Sequence, residues 1–288
     1  MNKFKIIGAM LIAVMTLAAC GGTGNKKKIS IAYANWADGI AITHLAKVIL
    51  EKQGYQVKLL NADIAPIFAS VSHKKADLFM DAWLPLTHAV YMKKYGNNLE
   101  NLGDIYNNAC LGLVVPQYVT INSIEELNGV KDRFSSKIVG IDAGAGIMDA
   151  ADNIIKAYDL QFNLLTSSGP AMTASLKKSI EKKEWIVVTG WNPHWMFSRF
   201  DLKMLKDPKN ICGKSESIYT IAWKGFSKKN PFAAKLLSNI KLNDKEINSL
   251  MEDIADTKTN EDDAVKIWIN RNLDAVNQWI PASGKIFK

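Results

Sequence analysis

A chain of 288 residues is long enough to build two domains, each with its own core. Its 48% hydrophobic and 22% charged residues are ordinary for a globular protein and exclude a disordered chain. A net charge of +8 leaves an acidic partner, nucleic acid above all, to be weighed against the rest of the sequence.

The N-terminus answers part of that. Lys3 and Lys5 form a basic start, and Ile6 to Ala19 is an apolar run too short to span a bilayer comfortably. Leu17-Ala18-Ala19-Cys20 follows and resembles the bacterial lipoprotein signal, in which the cysteine becomes the lipidated first residue. The expected organisation is a signal peptide over 1–19, lipid on Cys20 and a tether over 20–28, flexible from Gly21 to Asn25. Such a protein is extracytoplasmic, held at a bacterial membrane in the periplasm or on the outer face of the cell. There it rarely meets nucleic acid, so no such partner is expected. Cys110 and Cys212 then make an even pair in an oxidising compartment, a candidate disulfide. No Cys-x-x-Cys or His-x-x-x-His spacing points to a metal.

Beyond the tether, strand and helix signals alternate. Ile29, Ile31 and Tyr33 have the two-residue period of a strand, and Ile42, Leu45, Val48 and Ile49 form a helical face. Gly54 turns the chain into a strand at Val57–Leu60; Ile64, Phe68 and Val71 mark a helix before the strand Leu78–Met80. This βαβαβ start implies a mainly parallel sheet with right-handed crossovers. A short strand at Gly112–Val115 stops at Pro116, and Ser123-x-x-Glu126 is a capping box. Ile138–Ile141 is a strand leading to a helix near Ile147, and Pro170 opens a helix through Ile180. Trp185–Val188 and Tyr219–Trp223 are strands; helices start at Pro231 and Asn243, and one spans Ala264–Trp279. The expected architecture is α/β with two lobes. Lobe I holds 29–108 and 218–288, and lobe II, 109–217, is inserted into it, with the chain crossing near 106–116 and 212–222.

The two lobes carry the same pattern. Residues 77–88 and 184–195 each run from an apolar stretch through a small residue to Trp-x-Pro, at Trp83 and Trp191. Upstream, Asp38-Gly39-Ile40 and Ala145-Gly146-Ile147 each lead from a strand into a helix. The spacing from Gly39 to Gly146 matches that from Trp83 to Trp191 within one position. A repeat that long is no solenoid unit; it reads as two similar lobes clamping a small ligand. Of eight tryptophans, Trp185, Trp223, Trp268 and Trp279 read as core. Trp36, Trp83 and Trp191 follow strand-like runs, where open α/β sheets place ligands. Indole faces attract cations, and a quaternary ammonium, which has no N–H to donate, suits an aromatic box. Stacked tryptophans would also serve a sugar, with Asp, Asn or Arg nearby. A glycine at a helix start leaves backbone N–H groups for an anion such as a carboxylate, and the repeat alone does not choose between Gly39 and Gly146. No nucleophile–base set, phosphate loop or metalloprotease motif is present, so no catalytic residue and no cofactor are assigned.

Ala34-Asn-Trp36, Ala82-Trp83-Leu-Pro-Leu-Thr-His88, Gly112-Leu-Val-Val-Pro116, Gly140-Ile-Asp-Ala-Gly-Ala-Gly-Ile-Met148 and Gly190-Trp-Asn-Pro-His-Trp-Met-Phe197 resemble, in order, the glycine betaine-binding proteins of ABC importers. The resemblance implies a periplasmic-binding-protein-like fold of type II, with the ligand in the cleft. It implies capture of glycine betaine or a close betaine, delivery to a membrane permease with its ATPase, and a role in osmoprotection. The cage would be Trp36, Trp83 and Trp191, with no side-chain carboxylate needed beside it. The ligand carboxylate would meet the N–H groups of Gly146 and Ile147 and the side chain of His88; His194 reads as structural. Leu86, polar in some members, would touch either ligand or core. A choline, carnitine or proline betaine binder of the same fold, and the sensing domain of a receptor, are the rival readings; an exported enzyme lacks its constellation.

Overall fold

The structure is a computed structural model that describes residues 27–288. The expected signal peptide, Cys20 and most of the tether lie outside the described residues. The chain begins β1 (Lys28–Tyr33), α1 (Ala37–Lys52), β2 (Gln56–Asn61), α2 (Ile64–Ser72), β3 (Leu78–Leu84) and α3 (Ala89–Tyr95). The long strand β4 (Leu99–Pro116) leads through a 3-10 segment to β5 (Lys137–Val139), α4 (Gly146–Ala157), β6 (Asn163–Leu165), α5 (Gly169–Glu181), β7 (Val188–Asn192), α6 (Met196–Arg199) and β8 (Leu202–Met204). The return is β9 (Glu216–Trp223), followed by α7 (Phe226–Lys229), α8 (Pro231–Asn239), α9 (Asp244–Asp256), α10 (Glu261–Arg271) and α11 (Leu273–Trp279).

The strands lie in the order β2-β1-β3-β9-β4-β7-β5-β6, with β8 beside β4. The order reads the same inward from either edge. Each lobe contributes two parallel pairings, β1 with β2 and β3, and β5 with β6 and β7. The inner strands β3 and β7 then pair antiparallel with β9 and β4, which pair with each other. Each half of the repeat thus ends its third strand against a crossing strand. Trp83 is opposite Ile218, and Trp191 opposite Leu111.

Two apolar clusters fill the lobes. One, entirely within 113–205, packs Leu113, Val115, Ile138, Ile154 and Val187. The other spreads from α1, where ten residues are buried, to the C-terminal helices and on to the cleft. Fully burying one such Leu, Ile or Val stabilises by roughly 1.5–3 kcal/mol. The C-terminal helices cover α1; there the single expected helix is two, because Asn272 leaves helical geometry (φ −127°, ψ 31°) and its amide caps the Trp268 carbonyl at 2.8 Å.

Three expectations about strands need correction. The Gly112–Val115 strand begins at Leu99, and its polar first half hid it: it pairs with β9 through bulges near Gly103, Asp104 and Asn107. The strand expected over Trp185–Val188 starts at Val188 and carries Trp191 within it, because β4 pairs with Val188 through Asn192. Trp83 likewise lies inside β3. The expected disulfide is not formed: Cys110 and Cys212 are free. Both are near the crossing segments; burial first, then Asp207 and Cys110, push the Cys212 thiol up to about 12, and burial raises Cys110 as well.

His194 is structural. It is buried, its Nδ1 accepts the Met196 N–H at 3.0 Å, and burial lowers its pKa to about 3. The unfolded chain takes up this proton near pH 6.5, whereas the native chain does so only near the lowered value. The stability this supplies is complete above pH 6.5 and is lost as the pH falls toward the folded value. In His194→Gln, the slope of unfolding free energy against pH between 6 and 4 should therefore shrink by about 1.4 kcal/mol per pH unit, read from urea midpoints.

Candidate functional site

Where the two lobes meet, the structure brings together Trp36, Trp83, His88, Gly146, Ile147 and Trp191 around one small cavity. Thr87, Leu111, Ile141 and Ala145 complete those walls, and so does Asp38, a carboxylate that the sequence reading did not expect there. All three indoles are buried.

Each side chain has a local reason to be there. Trp36 is the residue before the first turn of α1, extended at φ −109° and ψ 148°, where the chain turns from β1 into the helix. Trp83 and Trp191 sit near the ends of β3 and β7, and the prolines that follow, Pro85 and Pro193, both have cis peptide bonds. The turn after Trp83 is pinned from β9: buried Glu216 accepts the N–H groups of Leu86 and Thr87 at 2.5 and 2.9 Å and the Thr87 hydroxyl. Leu86 itself is 52% exposed and does not line the cavity, so it touches neither ligand space nor core.

The indole edges carry the polar contacts. Trp83 Nε1 donates to Asp38 at 3.2 Å and to Asp81 at 2.8 Å, and Trp191 Nε1 donates to Asp38 at 3.0 Å. Trp36 Nε1 donates to Asp142 across the cleft at 3.1 Å. The Tyr91 hydroxyl donates to the Gly144 carbonyl at 3.1 Å, and Arg199 forms an ion pair with Asp256. The lobes are therefore closed on each other. The approach is tightest at Gly146, where a Cβ would lie 2.5 Å from Thr87 Cγ2 and 2.6 Å from the Thr87 carbonyl oxygen.

His88 has a defined protonation state. Burial lowers its pKa to about 3, so the ring is neutral at physiological pH. Its Nδ1 accepts the Trp83 backbone N–H at 2.9 Å and so carries no proton. The ring proton is on Nε2, which is buried and has no partner. Nearby, α4 starts at Gly146 without a side-chain cap, leaving its first N–H groups free. The cavity thus presents aromatic faces with one carboxylate, and N–H donors from His88 and the α4 N-terminus.

Asp38 and Glu216 are what the sequence reading missed. Glu216 gave no local signal. Asp38 did: in the repeat it is the acid before a Gly-Ile pair whose counterpart, Ala145, is apolar. Among the described residues no cluster of three or more His, Cys, Asp or Glu is placed to hold a metal ion, and no helix is long and apolar enough to cross a membrane.

A family model described as the substrate binding domain of ABC-type glycine betaine transport systems matches residues 27–271. The glycine betaine/carnitine transport binding protein GbuC of Listeria monocytogenes is 43% identical over 158 residues, 54% of this chain and 52% of that protein. That match spans about half of the relative's length. Among solved structures, the glycine betaine, L-proline ABC transporter binding protein ProX from Borrelia burgdorferi has a TM-score of 0.85 at 34% identity, covering 89% of this chain and 97% of that one. The lactococcal OpuAC, closed and complexed with glycine betaine, has a TM-score of 0.84 at 38% identity, covering 89% and 100%. The fold is that of the type II periplasmic binding proteins, and the family is one of transport proteins rather than enzymes. The order of motifs, the two-lobe sheet and the match over most of the chain agree: the chain belongs to the family of substrate-binding domains of ABC-type glycine betaine transport systems.

Proposed function

We propose that this chain captures glycine betaine in the cleft cavity and hands it to a membrane permease driven by an ATPase, for import and osmoprotection. The observation that carries the reading is the pairing of unlike walls in one cavity. Three buried indoles and the Asp38 carboxylate suit a trimethylammonium group. The unpartnered Nε2–H of His88 and the uncapped N-terminus of α4 at Gly146 and Ile147 suit a carboxylate. Glycine betaine has both groups one methylene apart. Choline has no carboxylate, and its hydroxyl would leave part of this donor set idle.

Closure does the work. With lobe I as 29–108 and 218–288 and lobe II as 109–217, Trp36, Trp83 and His88 come from one lobe, and Trp191, Gly146 and Ile147 from the other. Each lobe alone offers half a site, so the ligand favours the state in which both halves meet. The expected lipid on Cys20 would keep the protein beside its permease.

Three measurements check these statements. A calorimetric panel of glycine betaine, proline betaine, carnitine and choline should give its tightest binding with a betaine; a preference for choline would overturn the assignment. A desolvated cation–π contact contributes about 2 kcal/mol, so Trp36→Ala, Trp83→Ala and Trp191→Ala should each weaken glycine betaine binding by roughly thirtyfold. Trp268→Ala is the control. That ring is buried far along the chain, donating Nε1 to Ser249 at 2.9 Å, so its loss should cost ~3–5 kcal/mol of stability and leave the affinity of the folded fraction unchanged. Parent-like binding by all three folded cage variants would exclude the cage. Cys20→Ser should release the protein from membrane fractions or block its processing; unchanged fractionation and mobility would exclude the anchor.

A further inference from the structure

Two carboxyl groups, Asp38 and Asp81, are fully buried beside one another where the aromatic walls meet. Neither belongs to an ion pair among the described residues. Two adjacent buried carboxylates with no cation cannot both be ionised, so the pair holds a proton.

The geometry says which group holds it. Asp38 is in the first turn of α1, where the helix dipole favours negative charge. Both of its oxygens accept an indole N–H, Oδ1 from Trp191 at 3.0 Å and Oδ2 from Trp83 at 3.2 Å. Asp81 lies within β3 and accepts only one, from Trp83 at 2.8 Å on Oδ1. Its Oδ2 is buried without a partner. Gly39 makes room for that oxygen, since a Cβ there would be 2.7 Å from it. Burial raises both carboxyls above the usual range, Asp81 the further because the neighbouring Asp38 charge raises it again.

We propose that Asp81 is a positioning residue that carries the shared proton and donates it to Asp38, which then remains the single carboxylate joining Trp83 of one lobe to Trp191 of the other. Asp81 does not line the cavity and acts only through Asp38 and Trp83. The inference rests on the reading of the cavity as a betaine site, and it makes two acids of the same type non-equivalent. Asp81→Asn preserves what Asp81 supplies, an N–H for Asp38 and a carbonyl for Trp83. Asp38→Asn replaces the charge that both indoles hold.

The test titrates glycine betaine into both variants from neutral to mildly acidic pH, with thermal unfolding as the check on folding. Asp81→Asn should bind within about threefold of the parent, and Asp38→Asn more than about tenfold more weakly. The parent and Asp81→Asn should lose affinity on acidification as Asp38 takes up a proton, whereas Asp38→Asn should lack that limb. His88 with its pKa of about 3, Asp142 beside Trp36, Glu216 behind Thr87, His194 against Trp191, and Tyr91 and the Arg199–Asp256 pair across the cleft are unchanged in every variant. The reverse order of affinities, or equal losses, would overturn the proposal. A second readout needs no ligand. The infrared band of a protonated buried carboxyl should be present in the parent at neutral pH and absent from Asp81→Asn; its absence from the parent, or its persistence in Asp81→Asn, would overturn the proposal. Should the parent bind no betaine, the functional reading fails while the infrared result still decides where the proton is.

Discussion

Everything the two lobes do together passes through one pair of adjacent strands. β4 and β9 run antiparallel, each borders the inner strand of one lobe, and together they form the seam of the sheet. Because β3 ends on β9 and β7 ends on β4, the two Trp-x-Pro segments are delivered to opposite sides of that seam. Three register shifts along the pair, and Asn108 at φ 111°, bend and twist it as it passes between lobes. Glu216 extends the same constraint, since it stands at the start of β9 and holds the backbone after Trp83.

The sequence carried the repeat, and with it most of the architecture. Trp83 and Trp191, Gly39 and Gly146, and the βαβαβ openings were legible because each combines a periodic apolar run with a punctuating residue. What stayed hidden had no such signature. The first half of β4 is polar and bulged, so it shows no two-residue alternation. The break between α10 and α11 depends on one asparagine that caps its neighbour. The expected disulfide rested on sequence position alone, and the structure holds both cysteines free. Asp38 was in plain view in the repeat; only its burial, with indole N–H groups on both oxygens, marks it as part of the site.

The resemblance and the structure also explain why the two halves of the repeat are not interchangeable. In the first turn of α1, the Asp38 carboxylate puts the chain's own acid beside the indole N–H groups of Trp83 and Trp191. At the start of α4, Ala145 leaves the helix end free. The two helix starts thus differ in charge, Asp38 lying inside the first turn of α1 and Ala145 just before α4, and the cavity between them has an acidic wall and a donor wall. His88 adds to this polarity through its tautomer: with Nδ1 committed to the Trp83 backbone, only a donor faces the cavity.

The contact between Gly146 and Thr87 sets how far the cleft can shut. A Cβ there would stand 2.5 Å from the Thr87 Cγ2 methyl and 2.6 Å from the Thr87 carbonyl oxygen, so the position tolerates no side chain in the closed arrangement. Glycine at 146 thus does for the cleft what a missing tooth does for a latch: any larger residue there would hold the lobes apart before Trp36 and Asp142 or Trp191 and Asp38 could meet.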